Sequence, residues 1–297
     1  MSTFKKILVA VDLDEDSAAY VLATAKQLAS GVPLEVVHVL ERSHFYNLGD
    51  PAFALVDDLH VRITTEVNDY LARLCNRFDV DTFTLLEGHA ATMLQQHAAE
   101  RGSDLIVLGT HGRHGIKLLL GSTANAVLHG TECNVLAIRV PGASVEVRAP
   151  EDKYQCVLAA VDLSAESSQV LDVAEIVCAE ERARLKIAHV VKPFQHAYAG
   201  INPTTLSDVG IRFEHEADQQ ARATLKQLAT ERGLSDADTL VRHGAPAVEI
   251  HDMVDELGCD MLVVGTHGKH GMQLLLGSTA NAVIHGANCD VLAVRIR

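Results

Sequence analysis

The chain repeats itself, and that constrains its fold more than any other feature. Gly109-Thr110-His111-Gly112, followed by Leu118-Leu119-Leu120-Gly121-Ser122-Thr123-Ala124-Asn125-Ala126-Val127, returns as Gly265-Thr266-His267-Gly268 and Leu274-Leu275-Leu276-Gly277-Ser278-Thr279-Ala280-Asn281-Ala282-Val283. The run from Ile7 to Asp12 returns from Val157 to Asp162, and Leu34 to Val39 from Leu185 to Val190. Asp12 and Asp162 are 150 residues apart but Gly109 and Gly265 are 156 apart, so the second copy holds six extra residues. They precede Gly244, which pairs with Gly88 at the larger offset. Whatever one half folds into, the other must also, each with its own core.

At 297 residues the chain suits two domains of about 150, a size that buries a core without staples. The expected division is a first domain at 1–141, a linker at 142–152 inside the stretch bracketed by Pro141 and Pro150, and a second domain at 153–297. Short apolar runs alternate with longer amphipathic stretches, the pattern of buried parallel strands joined by crossover helices. Strands are expected at 6–11, 34–40, 82–86, 104–108 and 135–140, with helices at 16–30, 56–77, 90–101 and 123–128. The second half repeats the strands at 156–161, 185–191, 237–241, 260–264 and 291–296. Right-handed crossovers make each half an open parallel-sheet α/β sandwich, with a ligand crevice beyond the carboxyl ends of its strands.

A formal charge of −14 and the lack of a Lys/Arg run argue against a nucleic-acid partner, which needs a dense basic face. No apolar run approaches the roughly 18 residues that span a bilayer. Six cysteines stand without a CxxC pair and no charged-then-apolar leader precedes the first strand, so the expected setting is the cytoplasm.

The chemistry concentrates in the repeated loop. Gly109 ends an apolar run and leads into a glycine-rich stretch, after which Gly121-Ser122-Thr123 opens a helix, with Ser122 or Thr123 expected to cap it. Strand, glycine loop and helix N-terminus in that order make an anion cradle, and phosphate is its natural guest. It is neither a Walker A loop nor a GxGxxG turn.

These residues resemble the universal stress protein family in its tandem-domain form, over both halves. The resemblance rests on the first strand ending in Val-Asp, on His38-Val39 and His189-Val190 closing the second, and on the glycine loop. It implies five-stranded sheets of order 3-2-1-4-5, of the adenine nucleotide alpha hydrolase type, binding ATP or AMP, with magnesium if ATP. It also implies that Asp12 and Val39 flank an adenine-ribose pocket, and that Gly109, His111, Gly112, Gly121, Ser122 and Thr123 surround the phosphates. The matching second-half positions are Asp162, Val190, Gly265, His267, Gly268, Gly277, Ser278 and Thr279. Between Gly112 and Gly121, and between Gly268 and Gly277, eight residues stand where the nucleotide-binding pattern has nine. The last strands, by the same resemblance, pair the two domains about a twofold, with a homodimer a further step.

Other readings stand beside these. Asp12 and Asp162 suit helix capping as well as ligand contact, as do Ser17 and Ser164 for capping. His111, His114, His267 and His270 lack a third metal ligand at fixed spacing, and the charge shared by Arg113 and Lys269 suits phosphate better than a metal. The six extra residues are expected within the aromatic-bearing segments 44–53 and 194–213, which either lid a pocket or cover the core, with core cover the favoured reading. For function, a stress-response nucleotide sensor or regulator leads. A slow ATPase would lack an evident base, and a nucleotide-free dimerisation scaffold would fit the shorter loop.

Overall fold

A computed structural model describes residues 4–29, 31–41, 53–110, 121–141, 154–181, 183–193, 207–266 and 276–296, with the backbone alone at 53–58, 180–181 and 207–213. The chain divides into two compact units, Met1–Pro150 and Glu151–Arg297. The stretch expected as a linker, 142–152, lies outside the described residues.

The first unit runs β1 (Ile7–Ala10), α1 (Glu15–Ala29), β2 (Leu34–Leu40), α2 (Phe53–Arg77), β3 (Thr82–Glu87), α3 (Ala90–Arg101), β4 (Leu105–Gly109), α4 (Ser122–Gly130) and β5 (Asn134–Ile138). The second runs β6 (Cys156–Ala160), α5 (Ser167–Glu181), β7 (Arg184–Val191), α6 (Ser207–Glu231), β8 (Thr239–His243), α7 (Pro246–Leu257), β9 (Met261–Gly265), α8 (Ser278–Gly286) and β10 (Asp290–Val294). All pairings within a unit are parallel, in the order β3-β2-β1-β4-β5 and, equivalently, β8-β7-β6-β9-β10. This is the expected 3-2-1-4-5 order in both halves.

The central strands are apolar throughout because helices cover both faces. Ile7, Leu8 and Val9 of β1, Leu105 to Leu108 of β4, and Met261 to Val264 of β9 are all buried. Small residues bring α1 close to the sheet, with Ala18, Ala19 and Ala25 buried beside Leu22. Helices α3 and α7 stop at Gly102 and Gly258, whose φ of 65° and 60° is left-handed and lets their N–H groups close the last turn.

The surplus in the second half is not confined to the aromatic-bearing segments. Leu71 and Leu225 are both fully buried and hold equivalent places on α2 and α6 at an offset of 154, against 156 for Gly88 and Gly244. Two of the six residues therefore lie between α6 and β8, where Asp236–Asp238 form a 3-10 turn. Among the described residues no helix is long and apolar enough to cross a membrane.

Candidate functional site

Strand β1 sits between β2 and β4, with Ala10 beside both Val37 and Leu108. Its crossovers depart to opposite faces, so the carboxyl ends of β1 and β4 open a crevice. In the second unit β6 takes that place between β7 and β9.

The second crevice is a cavity of about 780 Å³. Asp162, Val190, Gly265, Gly277, Ser278 and Thr279 all line it, which brings together every second-half candidate that the structure describes. Ser164, Ser167, Lys192, Gln220 and Thr224 line it as well. Asp162 Oδ1 accepts hydrogen bonds from the Ser164 N–H at 3.0 Å, the Ser164 hydroxyl at 2.5 Å and the Ser167 hydroxyl at 3.2 Å, which fixes the carboxylate at the strand end. His189 donates through Nδ1 to the Val161 carbonyl at 2.8 Å, tying β7 to the end of β6.

Buried Thr266 anchors the return from β9 to α8. Its N–H donates to Val294 at 2.9 Å and its carbonyl accepts from Gly277 at 2.8 Å. Helix α8 then starts at Ser278 with Gly277 as its N-cap and no side-chain capping bond. The first N–H groups of a helix have no acceptor within it, so this end offers donors and a partial positive charge to the crevice.

The first unit repeats the backbone pattern. Thr110 donates to Ile138 at 2.8 Å and accepts from Gly121 at 2.7 Å, and His38 Nδ1 donates to the Val11 carbonyl at 2.8 Å. A Cβ at Gly121 would lie 2.9 Å from the Thr110 carbonyl oxygen, so close backbone approach, not an unusual φ, requires glycine there. Gly109 closes β4, Val39 is the penultimate residue of β2, and Asp12 lies two residues beyond β1. Burial, with a smaller contribution from Asp14, pushes the Asp12 carboxyl above its ordinary pKa, and burial lowers that of His38.

The capping expectations need correction. Neither Ser122 nor Thr123 caps α4, because Gly121 is the N-cap and the two hydroxyl residues are already inside the first turn. For α1 the cap is Asp14, whose Oδ1 accepts the Ser17 N–H at 3.0 Å, while Asp12 accepts the Asp14 N–H at 3.1 Å. His111, Gly112, His267 and Gly268, with the neighbouring His114, His270, Arg113 and Lys269, lie outside the described residues.

Lys192, Gln220 and Thr224 carry no signal in the sequence that marks them for the site. The first follows the last residue of β7 and the others lie on α6, whose rotation about its axis is set by packing and by no local motif. Together the walls supply an acidic anchor at Asp162, a second carboxylate at Glu166, hydroxyls, an amide, one lysine and a helix N-terminus, a set suited to holding a polyhydroxylated anion. Among the described residues no group of three His, Cys, Asp or Glu could hold a metal ion.

The model for the universal stress protein family matches residues 3–139 and again 153–295. Universal stress protein A homolog 2 of Coxiella burnetii is 37% identical over 147 residues, which is 48% of this chain and 100% of that protein. Homolog 1 of the same organism is 36% identical over 141 residues, 48% of this chain and 96% of its own length. Among solved structures, a universal stress protein from Archaeoglobus fulgidus covers 98% of this chain and 96% of its own at a TM-score of 0.63 and 20% identity, a likeness of fold.

Proposed function

Because the chain belongs to the universal stress protein family, matched separately by each half, we propose that it binds an adenine nucleotide, ATP or AMP, in a carboxyl-end crevice and acts as a stress-responsive sensor or regulator in the cytoplasm. The division into domains 1–141 and 153–297 with a linker at 142–152, the pairing of the two domains and a homodimer belong to the same reading. One observation supports it above the others: Asp162, Val190, Gly265, Gly277, Ser278 and Thr279, singled out for base, ribose and phosphates, line a single cavity.

Micromolar affinity needs about 8 kcal/mol, a sum within reach of a few charge-assisted backbone contacts, a helix N-terminus and an apolar slot for a base. Magnesium would enter with the triphosphate. A regulatory signal would follow if nucleotide ordered the loop it touches, shifting a population that a partner reads. The eight-residue loop spacing favours the competing scaffold reading. Denaturing freshly purified protein and quantifying the released adenine nucleotide separates the two. One or two equivalents per chain, lost in a Gly121→Val, Gly277→Val variant, is the expected result. No release, together with no calorimetric response to added ATP and magnesium, would hand the function to the scaffold.

A further inference from the structure

We infer that the two crevices are not equivalent: an anionic nucleotide occupies that of the second unit, and the acidic wall of the first unit excludes it. The inference rests on the nucleotide reading and adds to it which half works and why.

The walls can be compared position by position. The Asp14 N–H and the Ser164 N–H make the same bond to Asp12 and Asp162, so the turn beyond the first strand reads Asp14-Glu15-Asp16 in one unit and Ser164-Ala165-Glu166 in the other. Leu40 and Val191 end β2 and β7, so Glu41 stands where the second unit has Lys192. The equivalence of Leu71 and Leu225 places Glu66 and Tyr70 at the positions of Gln220 and Thr224. In the second unit, Ser164, Glu166, Lys192, Gln220 and Thr224 line the cavity, while Ala165 does not.

Across these positions the first unit sets five carboxylates, at 14, 15, 16, 41 and 66, while the second sets one carboxylate and one ammonium. Asp12 and Asp162 are common to both and do not alter the difference. At these positions the first unit therefore carries five more negative charges than the second, one of them, Glu15, offset by Arg77 at 3.7 Å. A carboxylate within about one Debye length of a phosphate tail, roughly 8 Å at physiological salt, repels it with a force that screening weakens without removing. A penalty on the order of a hundredfold in affinity is reasonable for several such pairs in a partly solvated cleft.

Tyr70 reports the same field from inside the first unit. Its hydroxyl is buried without a hydrogen bond among the described residues, and burial with the carboxylates of Asp12, Glu15 and Asp14 pushes it up to about 12. The ring also adds bulk where the second unit has only a threonine. Charge and volume both close the first crevice to a polyphosphate.

The test uses the full chain and two readouts. Photolabelling with 8-azido-ATP and magnesium, followed by peptide mass spectrometry, should mark peptides from 154–296. Calorimetry with ATP and magnesium should give one equivalent per chain. A Ser164→Asp, Lys192→Glu variant, which writes the first unit's residues into the second, should lose at least tenfold in affinity. The single Lys192→Glu change, at an exposed side chain, should lose several-fold and guards against a folding defect in the double variant. Two equivalents per chain, labelling in 4–141, or unchanged affinity in both variants would overturn the asymmetry while leaving the nucleotide reading intact. Absence of binding or labelling at either unit would overturn the nucleotide reading and the asymmetry with it.

Discussion

Glu35 on β2 and Lys186 on β7 occupy one position in the repeated sheet and are treated in opposite ways. The Glu35 side chain is 6% exposed and accepts from the Thr84 hydroxyl at 2.8 Å and from His97 Nε2 at 2.9 Å, with Arg101 Nη2 at 3.6 Å. Lys186 instead is largely covered, pairing with Asp238 at 2.7 Å and donating to the Ala237 carbonyl at 2.9 Å. The places of Thr84, His97 and Arg101 are taken by Leu240, Met253 and Leu257. The same backbone thus holds a buried ionic cluster in one copy and apolar residues at the matching positions in the other. The fold does not require the polar cluster, yet once a carboxylate is buried its partners become obligatory.

Removing one partner should produce the largest effect. His97→Leu would leave the Glu35 carboxylate with a hydroxyl and an arginine whose side chain is 48% exposed. The expected loss is about 3 to 5 kcal/mol, the usual cost of orphaning a buried charge. Amide hydrogen exchange should place the loss on β2 and β3 and spare β7 and β8. Adding Glu35→Met to His97→Met, an apolar pair that follows the example of Met253, should recover all but about 1 or 2 kcal/mol. A cost below about 1 kcal/mol for His97→Leu would mean that the contrast between the units has little energetic content.

Acid should reveal the same contrast more gently. Burial raises the Glu35 carboxyl, but the hydrogen bonds from His97 and Thr84 and the charges of His97 and Arg101 outweigh it, and the net shift is downward from 4.5. A carboxyl depressed in the folded state stabilises above its unfolded value, and that stabilisation is lost as pH falls through the folded one. Protection of β2 and β3 should therefore fall as pH drops below 4.5. Asp238, drawn down from 3.8 to about 2 first by Lys186 and then by Ser235, loses its contribution across that lower range, so β7 and β8 should weaken later. Asp12 has the opposite sign. Its raised carboxyl costs stability at neutral pH, and the cost is relieved as pH falls through the folded value. An Asp12→Asn variant should thus gain stability at pH 7, with the gain shrinking in acid. Simultaneous loss of protection in both units would break the comparison.

What was legible in the sequence followed from local backbone chemistry. Parallel strands buried on both faces appear as unbroken apolar runs, and the glycine loop combines a strand end with a helix start, so the order of elements and the second-unit cradle were within reach. Strand β8 begins two residues later than the expected 237, because Ser235 and Asp238 close a reciprocal capping box and hold Asp236–Asp238 in a 3-10 turn before the strand starts. Helix α4 begins one residue before the expected Thr123, because a glycine serves as its N-cap without a side-chain bond. The walls contributed by α6, and the burial of Glu35 inside an otherwise apolar run, depend on how helices rotate against the sheet. That information is tertiary and leaves no periodic trace.

The smallest expected effect is the most useful check on this contrast, because the second unit should barely notice the loss of its own ion pair. The Lys186 and Asp238 side chains are 17% and 26% exposed, so solvent screens part of their attraction, and Ser235 still donates its hydroxyl to Asp238 when the lysine is gone. Lys186→Met should cost about 1 kcal/mol or less, diminishing further in high salt. The loss should concentrate in the turn before β8, where Lys186 also holds the Ala237 carbonyl. If Lys186→Met cost as much as His97→Leu, both copies would depend on polar anchoring at this strand position. Apolar Leu240, Met253 and Leu257 could then no longer be credited with replacing the buried cluster of the first unit.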